Sequence, residues 1–582
     1  MGRKAVTIAA LSISGLALCA AGWTLAASWL FCWMGGLPMQ FPSDWAVWWV
    51  YLSWADETKW TKIYVAASGV MGAAPFLGVA LAAYRIAHPW RKLRTPMLGG
   101  LKPIERGVTD NHGHAAWLSK QEIAKTLSNP AGTLIGAMDR SEKAQFIYDD
   151  LSRGPTHSLI FAGPGSDKST TLVTRVWQWP GSKVVFDPST EIGPVMKEGL
   201  EARGYQVREI AMNGGGLNVL DWIDIKDPEA ENHIHSVVDW IYDQGAANSS
   251  DPNKANDPFW SEWGRALVAC LLAHMLFDPT TRVPKTLATL REGVATPENE
   301  MQNLLRTVNA TSESAMARDL AAGLMGMKAD QTFSGIYSNA FSGLRWLSLK
   351  AYADVVSGGG MKTSDILRSA SATMIQIPLD TLQTTPALGR AVFGALLNSV
   401  YKADGDGVDG RILFAIDESW LLGRMKEIRL GFRTGRKYGA TIQMLWQSEA
   451  DMEATWGKDE ARGLRDSSSW RAYAAVQDGD VAERLSRDIG THAVMAYSEG
   501  SNTGRQMARS AVGGSRSTGE NTNIHEIKRR LITADEIMRS APDDLFVLRR
   551  GSPHPIRCVT APYYRYPGIK ARMKANRFYR AA

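Results

Sequence analysis

Ala162-Gly-Pro-Gly-Ser-Asp-Lys-Ser-Thr170, written AGPGSDKST, is the stretch on which the fold turns. The apolar run 158–161 before it reads as a short buried strand, and TLVTRVWQW (171–179) after it reads as a helix. Strand, small-residue loop, Lys-Ser, helix is the layout of a phosphate-binding loop. In the standard pattern GxxxxGK[ST], glycines let backbone N–H groups close around phosphate oxygens. The lysine reaches the outer phosphates and the hydroxyl binds Mg2+. Here Ala162 stands at the first glycine and Asp167 at the second, with Lys168 and Ser169 in place. Asp167 adds a Cβ and a negative charge. Two unit charges ~4 Å apart cost about 4 kcal/mol at an effective dielectric near 20. That weakens binding by up to roughly a thousandfold unless the carboxylate turns to solvent or toward Mg2+.

Downstream, Arg411-Ile-Leu-Phe-Ala-Ile-Asp-Glu418 reads as an apolar strand ending in two acids, a Walker B pattern. Asp417 is the candidate Mg2+ partner, and Glu418 the candidate that polarises the attacking water. Thr441-Ile-Gln-Met-Leu-Trp-Gln447-Ser448 reads as a second buried strand, with Gln447 placed to sense a γ-phosphate. The nucleotide-binding candidates are thus Gly163, Gly165, Ser166, Asp167, Lys168, Ser169 and Thr170, with Ser169 and Asp417 on the metal.

Other apolar runs at 183–186, 373–377, 470–476 and 545–548, separated by helical patterns, predict a doubly wound α/β domain. From about 225 to 343 no strand pattern occurs. Amphipathic stretches at 229–242, 259–277 and 298–307 predict an all-helical insertion. The Gly/Ser/Asn-rich segment 499–523 predicts a mobile loop.

The N-terminus predicts two membrane spans. Residues 5–40 and 63–84 carry no charge, and each run is long enough to cross ~30 Å of hydrocarbon. Arg3 and Lys4 precede the first span; Arg85, Arg91, Lys92 and Arg94 follow the second, so both termini are expected in the cytoplasm. A cleaved signal peptide fits poorly, because the first run is too long and a second follows. Trp45, Trp48, Trp49, Trp54 and Trp60 in the connector suit an interfacial aromatic belt. The 582 residues carry a mild net charge of +6, which permits an anionic partner without demanding one. Four scattered cysteines without a CxxC pair, and histidines without HExxH spacing, suggest neither a disulfide framework nor a zinc site.

In chain order these features resemble the TraG-like coupling proteins of type IV secretion and conjugation. Two N-terminal spans come first. His112-Gly-His-Ala-Ala-Trp117 then resembles the family's entry to its cytosolic domain. The phosphate loop, VVFDPSTE (184–191), LNVLDWI (217–223), RILFAIDESWLLGR (411–424) and RRLITADEIMRSAPDDLFVL (529–548) follow in register. Asp167 and Ser189 depart from the family's usual glycine and lysine.

The resemblance implies an α/β RecA-like P-loop domain with an inserted all-α domain, preceded by two transmembrane helices. Its parts would be a membrane anchor over 1–95 with spans at about 6–34 and 63–84, a nucleotide-binding domain over 96–224 and 344–582, and the all-α domain over 225–343. It further implies a bacterial inner-membrane ATPase, a homo-hexamer using ATP and Mg2+. Such a protein passes relaxase-bound single-stranded DNA or effector proteins to a type IV secretion channel. A ring ATPase needs a cation from the neighbouring subunit. Arg433 and Arg436 are the candidates, Arg436 preferred. Lys458 and Arg462 are candidates for phosphate contacts in a ring lumen. Two readings stay open: a motor driven by hydrolysis, and a non-hydrolysing membrane-anchored receptor with a degenerate loop.

Overall fold

The computed structural model describes residues 20–38, 46–53, 62–71 and 73, and then 106–578 apart from 108, 110, 153–155, 243–257, 328–329, 406 and 507–514. The chain divides into two compact units, 1–105 and 106–582.

In the first unit, helices at 20–35, Val47–Ser53 and 62–71 gather Ala27, Phe31, Cys32, Trp48 and Val65 into a small apolar cluster. Trp48 is buried there and its indole N–H donates to the Val65 carbonyl at 3.0 Å, so it belongs to the packing rather than to an exposed belt. Trp49 is exposed. Among the described residues no helix is long and apolar enough to cross a membrane. Much of the two predicted spans, 6–34 and 63–84, lies outside the described residues.

The second unit is built on an eleven-stranded sheet and a separate two-stranded ribbon. The strands are β1 Thr133–Ala137, β2 Phe146–Asp149, β3 Ser158–Ala162, β4 Lys183–Phe186, β5 Gln206–Ala211, β6 Ser371–Gln376, β7 Ile412–Ile416, β8 Ala440–Trp446, β9 Trp470–Ala474, β10 Thr491–Gln506, β11 Ser515–Arg530, β12 Asp544–Arg549 and β13 Ile556–Val559. Their order in the large sheet is β2-β1-β13-β12-β9-β3-β8-β7-β4-β6-β5. From β9 to β5 every pairing is parallel; from β9 back to β2 every pairing is antiparallel.

The central strands are continuous apolar runs because both faces of a parallel sheet are covered. Alternation then divides each strand between two cores. Leu159 and Phe161 of β3, Phe414 and Ile416 of β7, and Met444 and Trp446 of β8 enter the core shared with the helical segment. Ile160, Leu413, Ala415 and Leu445 enter the core on the other face. Each of the Leu, Ile, Phe and Met side chains among these, fully buried, contributes about 1.5–3 kcal/mol.

Between β5 and β6 the described residues hold no named strand. Helices run through Ala230–Tyr242, Pro258–Phe277, Leu287–Val294, Glu298–Thr311, Ala315–Met325 and Asp330–Leu344, and continue past residue 343 with Lys350–Ser357. The two ends of this excursion are tied together: the Asp221 carboxylate accepts from the Thr363 N–H at 3.1 Å and from its hydroxyl.

The segment 499–523 departs from expectation. Its described residues lie in the β10–β11 ribbon, paired in unbroken register from Thr491↔Arg530 to Gln506↔Ser515. Gly, Ser and Asn carry weak strand propensity, so composition pointed to a loop where the backbone forms a two-stranded ladder.

His157, just before β3, gives the fold an acid-sensitive point. It is buried, and its Nδ1 accepts the Ile442 N–H at 3.1 Å. Burial pushes its pKa down to about 3, helped by nearby Arg411. The folded value lies below the unfolded ~6.5, so this contribution is intact above pH ~6.5 and is lost as pH falls toward 3. At pH 4.5 the loss is about 2–3 kcal/mol. His157→Asn keeps an acceptor and cannot titrate. Its denaturation midpoint is expected to fall less than the native one between pH 7 and pH 4.5. Equal falls in the two proteins would contradict this assignment.

Candidate functional site

The C-terminal edge of the parallel strands carries the site. β3 ends at Ala162, the loop turns through 163–167, and the helix Lys168–Gln178 begins. The first turn of that helix has free N–H groups, a natural place for an anion. Gly163 is required by close approach: a Cβ there would lie 2.9 Å from the Ala475 carbonyl oxygen. Gly165 has φ +76°.

Asp167 takes the left-handed conformation, φ 60° and ψ 30°. Besides glycine, Asp and Asn are the types that visit this region most readily, so the loop keeps the backbone shape a glycine would give. The Asp167 carboxylate accepts the Tyr564 hydroxyl at 2.7 Å and lies 3.4 Å from the Thr170 hydroxyl. Ser166 is buried and turned inward, donating its hydroxyl to the Gly163 carbonyl at 2.6 Å. Of the predicted loop residues it holds the turn while lining the cleft with its neighbours.

Three other strand ends meet this loop. Asp417 and Glu418 follow β7, Gln447 follows β8, and Asp187 follows β4. Ser169 donates its hydroxyl to Asp417 Oδ2 at 2.8 Å. Lys168 Nζ is ion-paired with Glu418 Oε1 and lies 3.6 Å from Asp417 Oδ1. Glu418 Oε2 accepts the Gln447 amide at 3.3 Å and the Trp420 indole N–H at 3.0 Å. Glu418 itself sits at φ 51°, a turn that aims its carboxylate back at Lys168. The loop, Glu191, Glu418 and Gln447 line a cleft of about 280 Å³.

Two features were not anticipated as site residues. Trp420 follows the acid pair by two positions, a spacing that could have suggested it. Asp187 is buried and accepts the Gly193 N–H at 3.0 Å, the Ser189 hydroxyl at 2.7 Å and the Glu191 N–H at 3.2 Å. Burial, with Asp417 nearby, pushes its pKa up to about 6. Ser189, where the resembling family has lysine, therefore caps Asp187. Burial also raises the pKa of Asp417, while the Lys168 ammonium opposes that rise.

The donor set fits Mg2+. Among the described residues no group of three or more His, Cys, Asp or Glu side chains gathers as a metal cage. One carboxylate and one hydroxyl, Asp417 and Ser169, are hard oxygen donors, and Mg2+ takes few protein ligands and completes its shell with phosphate and water.

Arg436 is not in this cluster. It sits in the turn Gly435–Tyr438 before β8, at the opposite end of the sheet, and donates to the Ser152 carbonyl at 2.8 Å. Arg433, Lys458 and Arg462 are exposed on helix surfaces. Within the cleft, Lys168 is the sole cationic lining residue among the described residues.

Comparison with known proteins agrees with this layout. The family model for type IV secretory system conjugative DNA transfer matches residues 116–582. The conjugal transfer protein TraG of Agrobacterium fabrum is 31% identical over 495 residues, covering 81% of this chain and 73% of that one. The type IV secretion system-coupling protein VirD4 of Bartonella henselae is 30% identical over 518 residues, covering 84% and 78%. Among solved structures, the plasmid coupling protein TrwB in complex with ADP and Mg2+ superposes with a TM-score of 0.54 at 15% identity, covering 82% of this chain and 98% of that one. This last likeness bears on the fold alone. With most of its length matched in order, the chain belongs to the type IV secretory system conjugative DNA transfer family, the coupling proteins of type IV secretion.

Proposed function

We propose that this protein is a membrane-anchored coupling ATPase that recruits substrate and delivers it to a type IV secretion channel. The observation that carries the reading is the convergence of Lys168, Ser169, Asp417, Glu418 and Gln447, from the ends of β3, β7 and β8, on one cleft. TraG and VirD4 relatives supply the context, and TrwB is a nucleotide-bound protein of the same fold.

In this reading Lys168, paired with Glu418, is the group that meets the outer phosphates. Phosphate oxygens take the place of the Glu418 carboxylate at Lys168, and Glu418 is released to orient and deprotonate a water. Gln447 and Trp420 hold the second carboxylate oxygen and keep it aimed. Ser169 and Asp417 would hold Mg2+, which would supply the neutralising charge that an acid-rich cleft lacks. With Lys168 as the cleft's own cation, transition-state charge needs a further one from a neighbouring copy. That requirement supports a ring, taken as a hexamer, with Arg436 as the candidate donor. Anchoring at the bacterial inner membrane through two passes, both termini cytoplasmic, rests on the uncharged runs and their basic flanks. Exposed Trp29, Trp33, Val70 and Met71 on the N-terminal helices suit a lipid-facing surface. The cargo is single-stranded DNA carried with a relaxase, or effector protein.

The test is ATP turnover by the full chain, purified in detergent, with and without single-stranded DNA. Turnover that rises several-fold with DNA is expected. Asp167 favours the second reading, a receptor that does not hydrolyse. ATP binding without turnover under both conditions would establish that reading instead.

A further inference from the structure

The loop carries an acid where its pattern calls for glycine, and the structure shows what is done with that acid. Among the described residues the Asp167 carboxylate accepts the Tyr564 hydroxyl and, more distantly, that of Thr170. Tyr564 is 397 positions away, in the C-terminal segment that follows β13. That segment is tied to the phosphate-loop helix and to the 190–191 loop, and is braced by its own contacts. The Thr174 hydroxyl, on the phosphate-loop helix, donates to the Ala561 carbonyl at 2.5 Å. Arg565 bonds the Thr560 carbonyl at 2.9 Å and Asp543 at 3.2 Å. Farther on, Asn576 donates to Glu191, a cleft-lining residue, at 2.9 Å, and Arg577 to the Thr190 hydroxyl at 2.5 Å. Tyr564 is thus presented to Asp167 from a framework that also grips both loops of the cleft.

We propose that Tyr564 is a positioning residue that makes an aspartate tolerable in the phosphate loop: its hydroxyl holds the Asp167 carboxylate on the C-terminal segment and away from incoming phosphates. This rests on the nucleotide reading of the cleft and goes further, by giving the C-terminal segment a part in nucleotide affinity. A hydrogen bond to a charged group is strong enough to bias one rotamer. Released, the carboxylate would sample positions beside the phosphate oxygens, where like charges repel.

Tyr564→Phe keeps the ring and removes the hydroxyl. Tyr564 is 46% exposed, so the change leaves no buried group unpaired on its side. The probe is ADP with Mg2+, titrated into the full chain in detergent as native, Tyr564→Phe, Asp167→Asn and the double variant. Asn suits the same backbone region as Asp and has no charge to hold. The expected result is about tenfold weaker binding for Tyr564→Phe in the native background, and a change under twofold when Asp167 is Asn. Denaturation midpoints should match. Native affinity in Tyr564→Phe would overturn the proposal. So would an equal loss in both backgrounds, since that marks a packing role indifferent to the charge; either result leaves the nucleotide reading standing. Absence of binding by native and Asp167→Asn alike would remove the nucleotide reading and this inference with it.

Discussion

Glu418→Gln is expected to lower ATP turnover about a thousandfold while leaving ATP affinity within a few fold of native. Glutamine has the shape of glutamate but accepts a proton poorly, so it fails at the step where water is activated. The local contacts make the expectation specific. Glu418 receives Lys168 on one oxygen and both Gln447 and Trp420 on the other. An amide there meets donors on both sides and forfeits one of them, and Lys168 loses the carboxylate that competes with phosphate for it. Affinity therefore holds or rises slightly as turnover collapses. Single-turnover hydrolysis beside equilibrium binding separates the two effects. Turnover above a tenth of native would show that Glu418 is not the base.

The second large effect is on stability. Asp149, at the end of β2, is fully buried; it accepts Arg549 Nε at 2.7 Å and the Ser469 hydroxyl at 2.6 Å. These contacts tie the antiparallel edge of the sheet to β9 and β12. Arg549→Met leaves the carboxylate buried without its cation, which costs about 3–5 kcal/mol. Removing both charges, as Asp149→Asn with Arg549→Met, should restore most of it. Burial already raises the Asp149 pKa against the pull of Ser469 and Arg549. A folded value above the unfolded one means that protonation relieves the folded state, so the penalty of Arg549→Met is largest at neutral pH and shrinks in acid. Urea midpoints at pH 7 and pH 5 check both statements. A penalty that grows in acid would reverse the account.

What could be read from the chain followed from burial. β3, β4, β7 and β8 are apolar on both faces, so their runs were visible without knowing their neighbours. β5, Gln-Val-Arg-Glu-Ile-Ala, lies at the sheet edge, where charged side chains remain partly exposed and no apolar run forms. The short β1, β2 and β13 are defined by antiparallel pairing with distant segments, and local pattern carries little of that. The Lys168, Ser169, Asp417, Glu418 and Gln447 cluster was legible because each residue stands at a strand end, and strand ends of a parallel sheet share one edge. Asp167 was legible as an anomaly but not as a solution. Its left-handed backbone and its bond to Tyr564 belong to the folded chain, and the tyrosine is nearly the whole domain away in sequence.

The most direct measurement is ATP turnover by the native full chain set beside Asp167→Gly. If the aspartate is accommodated as its backbone conformation and Tyr564 contact indicate, the native protein hydrolyses ATP within about tenfold of the glycine variant. A native protein that is silent beside an active Asp167→Gly variant would contradict that account, and would mark the natural loop as disabled.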